Sequence, residues 1–119
     1  MSTYQDPQDL QMAASLVQLA PREAQAFLQL KSTAERKDGL IPDKVREMIS
    51  LAVALTTQCA YCIDVHTKNA VAAGVSRQEL AEVVFITAAL RAGAAVGHGL
   101  MALRLHDEAA ARHNQSTEA

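Results

Sequence analysis

A chain of 119 residues with 13 acidic and 11 basic side chains, net charge -2, has the length of one domain. Half of its residues are hydrophobic but only 3% are aromatic, so the apolar content is mostly Ala, Leu and Val, which suits closely packed helices rather than a thick sheet sandwich. No Lys/Arg run marks a nucleic-acid binder, and the start MSTYQDPQDL has neither the basic nor the apolar part of a secretory signal.

Asp6-Pro7 is expected to open the first helix, with Asp6 as N-cap and Pro7 in the first turn. Leu10, Ala13, Ala14 and Val17 then recur at helical spacing. Pro21 opens a second helix, carrying Ala24, Phe27, Leu28 and Lys31 on one side and ending near Asp38-Gly39. Pro42 opens a third, PDKVREMISLAVALTT, with Val45, Met48, Ile49, Ala52 and Leu55 as its expected buried face. A fourth runs from about Cys59 to Ala73 and stops at Gly74. Ser76 and Glu79 form a capping-box pattern for the fifth, which carries Leu80, Val83, Val84 and Leu90. A sixth is expected from about Gly93 to Ala111, followed by a frayed polar tail, HNQSTEA.

No segment shows the alternation of a strand. The expected fold is therefore all-α, a single-domain bundle of about six helices. Within it, residues 1–38 form an N-terminal helical pair, 39–97 a core, and 98–119 a last helix and tail. From Val83 to Leu103 the chain is apolar for about the length of a membrane span. Arg91 and His98 interrupt that stretch, and Gly93, Gly97 and Gly99 divide it. It reads as two buried helices, one in a subunit interface, with no membrane. The expected compartment is the cytoplasm. Structural disulfides are rare there, so a close cysteine pair points to catalysis or metal binding.

Such a pair exists. Residues 56–66 read TTQCAYCIDVH, and Cys59 and Cys62 are the two cysteines of the chain. At about 100° per residue, Cys62 lies about 60° from Cys59 around a helix, and His66 about 20° to the same side. All three share one stripe. A thiol in the first turn meets the positive end of the helix dipole, which favours thiolate, and an imidazole one turn on can take or give its proton. Glu47, in the middle of the third helix, lies about 15 Å back from the turn and His66 about 10 Å beyond it. The two can meet across a helical hairpin, giving a chain from Glu47 through His66 to Cys62, with Cys59 at its outer end. Leu51 and Ala54 follow on the same side as Glu47, so its carboxylate is expected to be partly desolvated. By spacing alone the pair suits a redox couple, a zinc clamp or two small core residues. Tyr61 either lines or covers a cleft, and His98 is read as packing at an interface, with reach into a site as the alternative.

Glu47, eleven residues, Cys59-Ala60-Tyr61-Cys62, three residues, His66: this pattern resembles the AhpD-like alkylhydroperoxidases of the carboxymuconolactone decarboxylase superfamily. The surrounding LIPDKVREMISLAVALTTQCAYCIDVHTKNAVAAGVSRQELAEVV is similar to them too, so the likeness covers about residues 39–97. The resemblance implies an AhpD-like all-α fold assembled as trimers or hexamers. It implies catalytic roles for Glu47, Cys59, Cys62 and His66 in reducing a small hydroperoxide. A dithiol, such as a lipoyl group, or a redox protein would restore the thiols, with Cys59 as its point of contact. No metal, haem or flavin is needed. Some members carry histidine before the second cysteine, where this chain has Tyr61. Decarboxylase members lack the cysteine pair, so a lyase acting on a lactone is one alternative. A CxxC oxidoreductase of other substrate and a non-enzymatic helical oligomer are the others.

Overall fold

The computed structural model describes residues 4–118. These form a 3₁₀ segment, Pro7–Met12, and five α-helices: α1 (Ala13–Leu19), α2 (Pro21–Ala34), α3 (Asp43–Thr57), α4 (Ala60–Ala72) and α5 (Arg77–Glu118). No strand occurs among the described residues, so the fold is all-α as the sequence predicts. The chain divides into two compact units, residues 1–84 and 85–119.

The first unit is built on the hairpin of α3 and α4. Its turn is two residues, Gln58 and Cys59, with Gln58 in the left-handed region at φ 59°. The amide of Cys59 reaches back to the Ala54 carbonyl at 3.0 Å, closing α3. Gly74, at φ 86°, ends α4 in the same way, with Val75 N–H on the Ala70 carbonyl at 2.9 Å. Leu51, Ala70 and Val83 form the core, with Met48, Ala52, Val75 and Leu80 packed on it. Burying a side chain such as Leu51 contributes about 1.5–3 kcal/mol.

The buried face of α3 differs in part from the expected one: Met48 and Ala52 pack on the core and Leu55 is half-buried. Val45 and Ile49 are exposed, whereas Arg46, Glu47, Leu51 and Ala54 are buried. The face is turned so that a charged pair enters the core side, which a count of apolar positions cannot find. Arg46 owes its place to hydrogen bonds: one guanidinium nitrogen bonds Asp43 and another the Arg36 carbonyl, at 2.7 Å. Helix α2 also stops earlier than Asp38-Gly39. It ends at Ala34, because the Arg36 guanidinium closes it on the Thr33 carbonyl at 2.9 Å.

The expected fifth and sixth helices are one. Glycine in a helix interior costs only about 1 kcal/mol relative to alanine, and Gly93, Gly97 and Gly99 are set among Ala, Leu and Val. The expected frayed tail is helical through Glu118, while Ala119 lies outside the described residues. By length and composition α5 can cross a membrane, its apolar stretch having mean hydropathy 1.6. A helix at an interface between subunits has the same composition.

The start of α5 carries the predicted capping box. Ser76 N–H bonds Glu79 Oε1 at 2.9 Å and Glu79 N–H bonds Ser76 Oγ at 3.0 Å. Lys44 Nζ of α3 lies 2.9 Å from Glu79 Oε2. The Ser76 amide, followed by Lys44, holds the Glu79 carboxyl down to about 2 from an ordinary 4.5. A depressed carboxyl stabilises the fold above its unfolded value and loses that effect as pH falls through the folded one. Glu79→Gln should therefore melt below the native protein at neutral pH, with the gap closing between pH 4.5 and about 2. A constant gap in thermal melts across that range would contradict this account.

Candidate active site

Both cysteines sit at the N-terminus of α4, joined as a disulfide with their Cα atoms 5.3 Å apart. Cys59 is the N-cap of the helix, and its Sγ accepts the Cys62 N–H at 3.2 Å. Sulfur thus takes the place of the usual hydroxyl or carboxylate cap. Cys59, expected at the outer end, is half-buried as a residue, and Cys62 is exposed. The reason is the turn, since the bond from the Cys59 amide to Ala54 folds that residue against the end of α3.

One turn along α4 from Cys62, His66 stands with its side chain 12% exposed. Residues four apart on a helix are surface neighbours, about 5–6 Å between Cβ atoms. His66 Nδ1 lies 2.8 Å from Glu47 Oε2, and the Glu47 side chain is 9% exposed. The hairpin thus brings Glu47 and His66 together across the turn. Leu51 and Ala54 are buried on the same face of α3, so the carboxylate stands in apolar surroundings and depends on the imidazole for its partner.

A further carboxylate, which sequence reasoning missed, completes the ring's surroundings. Glu35 Oε1 lies 3.3 Å from His66 Nε2. The other oxygen of Glu35 pairs with Lys31 Nζ, one turn back on α2. The signal was hidden, because Glu35 follows the last turn of α2 and reaches the site only when that helix ends early. Arg46, beside Glu47 in sequence, fixes this arrangement through the Arg36 carbonyl.

Tyr61, between the cysteines, donates its hydroxyl to Asp9 Oδ2 at 2.5 Å. Asp9 also accepts the Asp6 N–H, at 3.2 Å, within the cap of the 3₁₀ segment. The Asp9 hydrogen bond, with some desolvation and the Asp9 charge, raises the Tyr61 phenol above its usual value. Tyr61 so borders an apolar cleft of about 780 Å³ between the 3₁₀ segment, α1 and α2, walled by Leu10, Leu16, Leu19 and Phe27. His98 is an exposed residue of the second unit.

Residues 21–105 match the model of the family described as carboxymuconolactone decarboxylase. The chain is also similar to curated proteins. One is uncharacterized protein 4 in the cox locus of Paracoccus denitrificans, 39% identical over 83 residues, 70% of this chain and 74% of that one. Another, an uncharacterized protein of Cupriavidus necator, is 31% identical over 93 residues, 78% of this chain and 81% of that one.

Proposed function

The chain belongs to the carboxymuconolactone decarboxylase family, and from that premise we propose that it is a thiol-dependent hydroperoxide reductase working through Cys59 and Cys62. The observation that carries this reading is the CxxC pair at the mouth of α4, joined by a disulfide one turn from an imidazole that Glu47 holds. Decarboxylation of a lactone has no need of two sulfurs at bonding distance.

The cycle begins with the reduced pair. His66, steadied by Glu47, takes the proton of Cys62, directly or through solvent. The thiolate attacks the distal oxygen of the hydroperoxide; the O–O bond breaks, and the departing alkoxide leaves as alcohol with that proton. Cys62 is left as sulfenic acid. Cys59 condenses with it, forming the disulfide and releasing water. An external dithiol, small or protein-borne, reopens the disulfide by exchange and ends as its own disulfide. The cleft beside Tyr61 is almost wholly apolar, which favours an organic hydroperoxide over hydrogen peroxide.

The same reading places the protein in the cytoplasm, where dithiol reductants are at hand, as an oligomer of its own kind. In the first unit Leu16, Leu19, Phe27 and Leu30 are exposed, and in the second Phe85, Leu90, Val96 and Leu100. Such apolar surface marks sites of association, and copies of the chain are the proposed cover. Light scattering that found only a 12.8 kDa species would remove this part.

Intact mass spectrometry tests the chemistry. Reduced protein treated with an alkyl hydroperoxide should lose the mass of two hydrogens and regain it with dithiol. Thiols that stay reduced would reject the redox reading. A lactone-cleaving activity surviving loss of both cysteines would put the lyase in its place.

A further inference from the structure

Leu10, Met12, Leu16, Leu19 and Phe27 give the cleft beside Tyr61 hydrocarbon walls. Its volume, about 780 Å³, lies in the range of sites that hold small organic ligands, about 300–1,000 Å³. Among the described residues that line it, Asp9 alone is charged, and no lysine, arginine or histidine is there to receive an anion. The Tyr61 hydroxyl is spent on Asp9 Oδ2, at 2.5 Å, and the Asp6 N–H reaches the same oxygen. Tyr61 links this space to the redox pair, because it sits between Cys59 and Cys62 in the first turn of α4. A molecule against the Tyr61 ring therefore lies beside the turn that carries both sulfurs. Asp9, Leu10, Met12, Leu16 and Leu19 all precede residue 21, where the match to the family begins. Membership of the family therefore does not determine what these walls accept.

We propose that this cleft takes the hydrocarbon group of the hydroperoxide, and that Asp9 is a specificity-determining residue that favours uncharged hydroperoxides over those carrying a carboxylate. The proposal rests on the peroxidase reading above and adds the size and charge of the substrate to it. The substrate class is a neutral aryl-alkyl or long-chain alkyl hydroperoxide. Its apolar group leaves water for the leucine and phenylalanine walls, with the –OOH group at the Tyr61 end, next to α4. Hydrogen peroxide has no such group and gains nothing from the walls. The chemical step is the one already given: the Cys62 thiolate takes the distal oxygen and becomes sulfenic acid, the O–O bond breaks, and the alkoxide leaves as alcohol with the thiol proton. That alcohol keeps the hydrocarbon group, so it binds the same walls.

A substrate with a carboxylate brings a second negative charge to a cleft whose one fixed charge is already negative. Two like charges about 4 Å apart in watery surroundings change an equilibrium constant by about fivefold. Asp9 is exposed, so the effect should weaken as salt rises. The capping box holds that charge in place. The Asp9 side chain accepts the Asp6 N–H and the Asp6 side chain accepts the Gln8 N–H, which fixes the segment that supplies Leu10 and Met12 to the cleft.

The test uses the full chain with cumene hydroperoxide, its para-carboxylate, and hydrogen peroxide as reference. Cumene hydroperoxide should exceed hydrogen peroxide in kcat/KM, by about fourfold for each methylene-sized group fully buried and about twofold for one half-buried. The para-carboxylate should run about fivefold below cumene hydroperoxide at low salt, and the gap should narrow at about 1 M salt. Asp9→Asn keeps an oxygen for the Tyr61 hydroxyl and should close that gap, while Asp9→Glu should retain it. Met12 is 63% exposed, so Met12→Gln should fold. It should lower the ratio of cumene hydroperoxide to hydrogen peroxide by about fourfold, the worth of one methylene buried against it. Met12 is chosen because Leu16, Leu19 and Phe27 also belong to the surface on which copies are proposed to associate. Binding is read apart from chemistry by titrating the product alcohol, 2-phenyl-2-propanol, into nitrogen-15-labelled oxidised protein. The amide signals of Leu10, Met12 and Leu16 should shift, and the para-carboxylate of the alcohol should bind about fivefold more weakly. Equal kcat/KM for cumene hydroperoxide and its carboxylate in native protein would overturn the proposal. So would amides that the alcohol leaves unmoved, the result expected if a second copy fills the cleft. Thiols inert to hydroperoxide would remove the peroxidase reading and leave a positive titration standing. Thiols oxidised without regard to the hydrocarbon group would keep that reading and remove this inference.

Discussion

Cys62→Ser protein is expected to consume hydroperoxide no faster than the uncatalysed reaction with the same dithiol. Serine keeps the shape of the first turn of α4 and its hydrogen-bonding capacity. Its hydroxyl does not ionise near neutral pH, and the remaining sulfur has no partner. Loss of an activated nucleophile costs about 10⁶-fold in the hydrolase where it is best measured, so the assay floor should be reached first. Cys59→Ser separates the two roles. Its Cys62 should still react once with hydroperoxide and then stop at sulfenic acid, gaining the mass of one oxygen with no loss of hydrogen. If Cys62→Ser retained more than about a tenth of native turnover, Cys62 would not be the attacking residue.

Glu47→Gln should lower kcat/KM for hydroperoxide by about 10²–10⁴-fold, the range over which a positioned base and its orienting acid act. Glutamine fills the same volume, and its amide oxygen still accepts Nδ1–H from His66, so the fold is expected to survive. What disappears is the negative charge that steadies the imidazolium formed when Cys62 gives up its proton. The effect should therefore fall on single-turnover oxidation of pre-reduced protein, and thermal melts should exclude unfolding as the cause. A variant within about threefold of native would mean that the 2.8 Å contact is structural only.

How much of this was legible in the sequence varies along the chain for physical reasons. The hairpin and the meeting of Glu47 with His66 follow from 1.5 Å of rise per residue and a short turn, both local quantities. Leu51 and Ala54, on the Glu47 side, are buried as their spacing indicates. Arg46 was not legible, because its burial depends on a carbonyl ten residues away. Glu35 was hidden for the same cause: it acts across an irregular connection whose path Arg36 and Arg46 set. The unbroken α5 was missed because three glycines look like punctuation, yet their helical penalty is small beside the summed preference of neighbouring Ala and Leu. Which cysteine is the more exposed residue turned on the Cys59 amide, a backbone detail with no side-chain signal.

In most helices the cap is a chemically inert oxygen, but here the atom that caps α4 is a disulfide sulfur, the one that would change oxidation state in the proposed cycle. Each change in the bonding or charge of Cys59 Sγ alters its strength as an acceptor for the Cys62 amide. The proposed cycle would thereby be transmitted to the backbone. Under that proposal, deuterium uptake at this single amide should rise and fall with turnover, so the helix end would report whether the cysteine pair is reduced or joined.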